Sequence, residues 1–357
     1  MKWIFTLLGG MKKTLFIALI WLITFSSRAH DSGLSIYLWE DTLSQDLMTE
    51  WENQNNSTLT QSHFDNDDQR SQLMLNSTEL PFDIVVLDNI SAQIYGKLGQ
   101  FEDLSDLKNR SHNGSKWLKA CGKYAVPYFW GTVGLVYRKD NVTTPPKTWS
   151  DFVNPPAELR GHIGMLNDSV DSFLPFFYSM GTSPLTDETS EIEAVYPIFA
   201  QFSQHVLSYE YVLSYIRSHT NANKMKMALA YSGDQYSMNR FLEEDLWQFV
   251  TPEGEIYLWV DCLAVNSASS HKKQAKAFIE FMMDPANAAK NAIDVKAATP
   301  NSSALKLLPE WYLNDASLFP NRERVEQGQI DSPLSAENIS LRAKIINTIL
   351  KRHEAQH

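Results

Sequence analysis

The chain has 357 residues, enough for about two domains, and its 43% apolar content is sufficient for a buried core. It carries 42 acidic and 31 basic residues, a formal net charge of -11, which makes nucleic acid and anionic lipid poor partners and favours a cation. Two cysteines exclude a disulfide-rich scaffold and a metal site built from several cysteines.

The N-terminus has the pattern of a secretory signal peptide. A Lys-Lys pair precedes the apolar run Leu15–Phe25, and small residues lead to Ala29. The run is shorter than the roughly 20 residues of a membrane-spanning helix. We predict a cleavable signal peptide at residues 1–29 and export to the periplasm, starting from Met1 or Met11. An uncleaved signal stays open, because further apolar residues precede the basic pair.

Short strands alternate with helical patterns along the rest of the chain, which is typical of an α/β fold. The apolar run Phe82–Val86 is typical of a buried parallel strand. No flexible linker divides the chain, so we expect two lobes that share strand crossovers, with the ligand in the cleft between them. The other predicted strands are Ser35–Leu38, Gly164–Leu166 and Ala228–Tyr231. The predicted helices are Ser44–Asn53, Asp67–Leu75, Ser91–Leu98, Phe173–Met180, Gln235–Glu243, Lys272–Met283, Pro285–Asp294 and Ser340–Lys351.

The sequence contains no nucleotide-binding, zinc-protease or serine-hydrolase motif. Asp168 and Asp171 are spaced as a general acid/base couple, but no nucleophile or metal ligand accompanies them. We therefore predict a binding protein without a cofactor or a metal ion. A secreted hydrolase is the last of the alternatives.

Three clusters of aromatic and acidic residues follow predicted strands. Each alone is typical of helix capping or of packing at a strand end, but three together favour a ligand site. Indole rings cover methylene groups and attract ammonium, and carboxylates accept charge-assisted hydrogen bonds from it. The clusters therefore predict an alkyl polyamine as the ligand. They are Trp39-Glu40-Asp41, Asp168 with Asp171, and Trp259 with Asp261.

These clusters and several further motifs resemble the periplasmic spermidine/putrescine-binding proteins, over nearly all of the chain after residue 33. The resemblance implies two α/β lobes of the type II periplasmic binding protein, with hinge crossovers and a ligand cleft. The implied lobe 1 is 30–131 plus 262–305, and the implied lobe 2 is 132–261 plus 306–357. The motifs are Ile36–Asp41, Phe82–Val86, Val126–Gly131, Leu166–Asp168, Trp259–Ala264 and Ala298–Asn301.

The resemblance also implies residue roles. Trp39 and Trp259 match rings that sandwich the ligand's alkyl chain, and Asp168, Asp171 and Asp261 match acids that bind its amino groups. Further ligand-binding residues implied by position are Glu40, Asp41, Asp88, Tyr231 and Asp331. Family tyrosines are replaced by Thr42, Ile90 and Ala297, which implies a cleft with fewer aromatic walls.

Cys121 and Cys262 are both expected in lobe 1 near the hinge. A disulfide between them is compatible with an oxidising periplasm. Two separate buried thiols are the equally weighted alternative.

Two functions are compatible with the resemblance. The favoured one is a monomeric sensor of norspermidine or spermidine that signals to a membrane cyclic-di-GMP enzyme controlling biofilm formation. The alternative is the substrate-binding component of a spermidine/putrescine ABC importer, with a permease as its partner.

Overall fold

The computed structural model describes residues 33–64, 67–76 and 80–355. The predicted signal peptide lies outside these residues. Within them, no helix has the length and apolar content needed to cross a membrane.

Strands and helices alternate along the described chain, as the sequence predicts for an α/β fold. The predicted elements are present with shifts of a few residues at their ends, except that Gly164–Leu166 is displaced. The strand there ends at Gly164, and Leu166 lines a cavity instead. The strands are β1 (Leu34–Trp39), β2 (Leu59–Phe64), β3 (Ile84–Asp88), β4 (Ala125–Arg138), β5 (Ile163–Gly164), β6 (Val206–Ser208), β7 (Met227–Tyr231), β8 (Trp247–Val250), β9 (Tyr257–Val265) and β10 (Gln329–Ile330). The helices are α1 (Gln45–Asn55), α2 (Asp67–Asn76), α3 (Asn89–Lys97), α4 (Ser115–Cys121), α5 (Trp149–Val153), α6 (Leu174–Met180), α7 (Thr189–Phe202), α8 (Val212–Ser218), α9 (Asp234–Leu242), α10 (Lys272–Met283), α11 (Pro285–Val295), α12 (Glu310–Leu313), α13 (Arg322–Gln327) and α14 (Ala336–Glu354).

The strands form one mixed sheet in the order β2-β1-β3-β9-β4-β7-β5-β6, with β10 beside β9 and β8 beside β4. β1 is parallel to β2 and β3, whereas β9 is antiparallel to both β3 and β4. The buried strand predicted at Phe82–Val86 therefore has one parallel and one antiparallel neighbour. Its continuous apolar sequence reflects burial of both faces rather than the direction of pairing.

β4 joins the two halves of the sheet and is absent from the predicted elements. Its first twelve residues are buried. Residues Ala125 to Thr132 pair with β9, and the strand then continues from Val133 beside β7 and β8. Because one strand belongs to both halves, the two lobes need no separate linker.

Buried apolar side chains form distinct cores on the two halves. The first core contains Ile36, Leu47 and Phe278, from elements that surround β1. The second contains Phe176 and Phe199, from the helices around β7. Trp259, on β9, packs against both cores, which places this side chain at the boundary between the lobes.

The lobe boundaries at 131, 261 and 305 stay a prediction. The first core nevertheless includes three side chains beyond residue 305, namely Leu308, Tyr312 and Leu318. These residues pack with elements expected in lobe 1, so the segment after 305 does not belong wholly to the second lobe's core.

A disulfide joins Cys121, at the end of α4, to Cys262 in β9. Their Cα atoms are 5.7 Å apart, and 141 positions separate them in the sequence. Of the two arrangements that the sequence leaves open, the structure has the bonded one. The bond ties a surface helix to a central strand of the first half of the sheet.

Candidate functional site

A cavity of about 810 Å³ lies where the two halves of the sheet meet. The ends of β1, β3 and β7 and the loops that follow them supply much of its wall, as the sequence predicts for an α/β sheet. Trp259 and Asp261 differ from the prediction, because they lie within β9 and not after a strand. The structure brings all ten predicted ligand-binding residues into this one cavity. They are Trp39, Glu40, Asp41, Asp88, Asp168, Asp171, Tyr231, Trp259, Asp261 and Asp331.

Aromatic rings form a continuous wall of the cavity. The ring centroids of Trp39 and Tyr211 are 6.0 Å apart, those of Tyr211 and Tyr231 are 5.9 Å apart, and those of Tyr231 and Trp259 are 6.3 Å apart. The predicted tryptophans are thus linked by two tyrosines. Tyr211 is missing from the predicted site, although it stands three residues after a strand, where the same reasoning applies. Tyr257 lines the cavity as well.

Besides this wall, the cavity includes the positions at which family tyrosines are expected to be replaced. Thr42, Ile90 and Ala297 do line the cavity where the resemblance leads one to expect tyrosines. Tyr211 and Tyr257 supply rings from other elements.

Asp168 combines a structural role with its place in the cavity. Its Oδ1 accepts hydrogen bonds from the backbone N–H groups of Val170, Asp171 and Ser172, at 2.8, 2.6 and 3.3 Å. These bonds fix the loop that carries Asp171 toward α6. Helix capping and ligand binding are thus compatible at this residue.

Three carboxylates of the cavity accept hydrogen bonds from tyrosine hydroxyls. Tyr231 donates to Asp171 at 2.7 Å, and Tyr257 donates to Asp331 at 2.6 Å. Asp234, the first residue of α9, accepts from Tyr211 at 2.7 Å. Asp234 is not among the predicted residues, although it too follows a strand closely. A tyrosine hydroxyl is uncharged, so each of these bonds leaves the negative charge of the carboxylate in place.

Burial changes the acidity of two of these carboxyls. It raises the pKa of Asp331 from 3.8 to about 6, and it raises the pKa of Asp234 from 3.8 to about 7. In both cases removal from water disfavours the ionised form more than the tyrosine hydrogen bond favours it. A cationic ligand beside them supplies the missing counter-charge.

Other carboxylates of the cavity are paired with arginine. Arg217, on α8, contacts Glu40 and Asp41 with separate nitrogens, each at 2.5 Å. Asp88 contacts the fully buried Arg70 at 2.5 Å and also caps α3 through the N–H groups of Ile90 and Ser91. Three predicted ligand-binding residues thus have a guanidinium partner within the protein.

Asp261 occupies the position on β9 directly opposite Asp88 on β3. Adjacent carboxylates on neighbouring strands repel each other, so a cation near the pair stabilises both. Trp259, two residues earlier on the same strand, faces the same side of the sheet. The strand therefore presents an indole ring and a carboxylate together, as the sequence predicts.

The cavity as a whole is strongly acidic. Its basic lining side chains, among the described residues, are Arg217 and Lys296, with His353 in addition. No group of three or more His, Cys, Asp or Glu side chains in that part of the chain is arranged to hold a metal ion. The lining carboxylates are Glu40, Asp41, Asp88, Asp168, Asp171, Glu210, Asp234, Asp261, Asp331 and Glu354.

Two α/β halves joined by shared strands, with an acidic and aromatic cavity between them, define the class of two-lobed solute-binding proteins. Residues 46–320 match the family of bacterial extracellular solute-binding proteins. The chain belongs to this family. The predicted family and the predicted type II periplasmic binding protein fold are both confirmed.

Individual relatives are consistent with this assignment. The chain is 48% identical over 341 residues to the norspermidine sensor of Vibrio cholerae serotype O1, covering 96% of this chain and 95% of that one. It is 24% identical to the spermidine/putrescine-binding periplasmic protein of Escherichia coli K12, covering 87% and 90%. A solved structure, a putative spermidine/putrescine ABC transporter from Listeria monocytogenes, shares the fold with a TM-score of 0.77 at 24% identity, covering 90% and 99%.

Proposed function

We propose that this protein binds a linear polyamine of the norspermidine or spermidine type in the cavity between its lobes, in the periplasm. The observation that carries the proposal is that one cavity combines an aromatic wall with buried carboxylates, such as Asp331, whose hydrogen-bonding side chain is the uncharged Tyr257. Alkyl amines titrate near ~10, so they are cations at neutral pH. Each ammonium–ring contact contributes roughly 0.5–2 kcal/mol.

Titration calorimetry tests binding directly. Norspermidine and spermidine are expected to give saturable heats and to change the tryptophan emission, because Trp39 and Trp259 line the cavity. Citrate, an anion of comparable size, serves as the control and is expected to give neither signal. Silence across diamines, triamines and tetra-amines contradicts the proposal. The function proposed is binding and not catalysis.

We further propose that polyamine binding by this protein serves to sense the ligand. The support is the 48% identity, over nearly the full length, to a protein named for sensing norspermidine. In this proposal the ligand brings the lobes together, and a membrane cyclic-di-GMP enzyme that controls biofilm formation distinguishes the closed form from the open form. Signalling requires that the enzyme have different affinities for the two forms, since equal affinity shifts no equilibrium.

Import is the second candidate, supported by the names of the more distant relatives from E. coli and Listeria. Deletion of the gene separates the two functions. Under sensing, cyclic-di-GMP and biofilm change while uptake of labelled polyamine stays the same. Loss of uptake with unchanged signalling assigns the protein to an importer.

A further inference from the structure

An ion pair crosses the cleft between the two halves of the molecule. Glu40 and Asp41 follow β1, whose side chains pack in the first core. Arg217 lies on α8, whose apolar side chains pack in a separate core with Val136. The guanidinium group contacts both carboxylates, at 2.5 Å each, and the Arg217 side chain is 16% exposed.

The same three side chains line the cavity. Arg240 adds a second guanidinium at 3.5 Å from Asp41. The carboxylates at this end of the cavity are therefore already neutralised by the protein. At the other positions, Asp234 and Asp331 accept side-chain hydrogen bonds from tyrosine hydroxyls and, within the described part of the chain, make no ion pair with a guanidinium within 4 Å.

We propose that Arg217 determines specificity by acting as a built-in cation that occupies the Glu40–Asp41 end of the cavity. An ammonium group of the ligand must displace this guanidinium before it reaches the two carboxylates. The cavity therefore favours a triamine over a tetra-amine long enough to extend to this end, because the fourth ammonium must compete there with Arg217. This inference rests on the proposed polyamine binding and assigns a ligand length to it.

The structure supplies a matched control. Arg138 also bridges two carboxylates, Asp140 at 3.0 Å and Glu244 at 3.8 Å, and it is 13% exposed. Its guanidinium lies 5.9 Å from the centre of the Trp247 ring, much as that of Arg217 lies 5.8 Å from Phe241. Arg138 does not line the cavity.

The test compares norspermidine with the tetra-amine spermine by calorimetry in the full chain. In Arg217→Gln, the ratio of spermine affinity to norspermidine affinity is expected to rise at least tenfold, because Glu40 loses its guanidinium partner and Asp41 keeps only the more distant Arg240. Arg138→Gln is expected to leave the ratio as in the wild type. An equal change for both amines in Arg217→Gln overturns the inference, because it shows that the ion pair only assists lobe closure.

Two further variants keep the test decisive if Arg217→Gln folds poorly. Arg217→Lys retains the cation and is expected to keep the preference for the triamine. The triple variant Glu40→Gln, Asp41→Asn, Arg217→Gln lacks both the cation and its acceptors, and is expected to lose the gain in spermine affinity. Spermine preference in either variant overturns the inference. A wild-type protein that binds no amine overturns the proposed function and this inference together, whereas triamine binding with an unchanged ratio in Arg217→Gln overturns this inference alone.

Discussion

The carboxylates of the cavity differ in the partner that each one has. Asp234 and Asp331 accept hydrogen bonds from tyrosine hydroxyls, which are uncharged. Glu40, Asp41 and Asp88 contact guanidinium groups. A hydroxyl orients a carboxylate and leaves its charge available, whereas a guanidinium neutralises it. The capacity for a cationic ligand therefore depends on the partners of the carboxylates and not on their number.

The largest expected effect is a loss of stability when a carboxylate that forms an ion pair with arginine is replaced. Asp88→Asn removes a charged partner of Arg70, whose side chain is fully buried. Loss of one partner of a buried ion pair lowers the free energy of unfolding by about 3 kcal/mol. Denaturant unfolding followed by circular dichroism measures the change.

The surface pair Arg138–Asp140 provides the control, since Asp140 is 41% exposed. Asp140→Asn is expected to change the free energy of unfolding by less than about 1 kcal/mol. If the Asp88 and Asp140 variants have the same free energy of unfolding, the contact between Asp88 and Arg70 does not contribute the stability that is expected from it.

The next largest effect is a loss of affinity for norspermidine when a carboxylate that accepts a hydrogen bond from tyrosine is replaced. Asp331→Asn keeps a hydrogen-bond acceptor for Tyr257 but removes the charge that faces the cavity. A charge-assisted hydrogen bond contributes roughly 1.5–3 kcal/mol, so norspermidine binding is expected to weaken about tenfold to a hundredfold. Calorimetry on the variant gives the value.

Asp315 is the matched control, because it also accepts a hydrogen bond from a tyrosine, Tyr236, and does not line the cavity. Asp315→Asn is expected to bind norspermidine as the wild type does. Equal affinities of the Asp331 and Asp315 variants contradict the role given to Asp331.

The difference between the two groups of carboxylates marks the limit of prediction from the sequence. Strand ends identify Asp168 as a cavity residue, because the carboxyl ends of parallel strands meet at one edge of an α/β sheet. Asp261 lines the cavity from within the antiparallel strand β9, which the strand-end argument does not describe. The partner of a carboxylate is not a local property. Arg217 lies 176 positions from Asp41, and only the packing of α8 across the cleft brings them into contact.

The fold shows the same limit. Alternating strands and helices predict the α/β class, because each element is recorded in local hydrophobic periodicity. The antiparallel position of β9 between β3 and β4 is set by the path of the chain between lobes, which no local pattern records. Tyr211 is missing from the predicted site because β6, the strand that it follows, is not among the predicted strands.

The carboxyls that accept hydrogen bonds from tyrosines are expected to make the free energy of unfolding depend on pH. Burial raises the pKa of Asp331 to about 6 and that of Asp234 to about 7, both above 3.8. At these two carboxyls the folded free protein therefore holds more protons than the unfolded chain between about pH 4 and pH 7, and their contribution to the free energy of unfolding falls as the pH rises through that window.

The affinity for the ligand is expected to depend on pH in the opposite direction and to rise as the pH rises. An ammonium group favours the ionised carboxylates, so binding releases protons and the affinity is expected to fall roughly tenfold from pH 8 to pH 6. Calorimetry in two buffers of different ionisation enthalpy measures the number of protons released. Proton release of zero at pH 6.5 contradicts the assignment of these carboxylates to the ligand.

The smallest expected effect is on norspermidine affinity, when the hydroxyl of a single tyrosine is removed. The Tyr211 hydroxyl donates to Asp234 and thereby lowers the pKa of that carboxyl against the larger effect of burial. In Tyr211→Phe the pKa of Asp234 rises further, and the ring stays in the aromatic wall. Norspermidine binding at pH 7 is expected to weaken only about twofold to fivefold, the size of a single neutral hydrogen bond.

The pH profile distinguishes this mechanism from a simple loss of contact. If Tyr211 acts through the ionisation of Asp234, raising the pH to 9 ionises the carboxyl in the variant and restores most of the affinity. If the hydroxyl instead contacts the ligand, the deficit persists at every pH. Tyr215→Phe, on the same helix α8 and outside the cavity, controls for effects on the helix and is expected to follow the wild-type profile. A persistent deficit in Tyr211→Phe at pH 9 therefore assigns Tyr211 to the ligand and removes it from the group of residues that only tune a carboxylate.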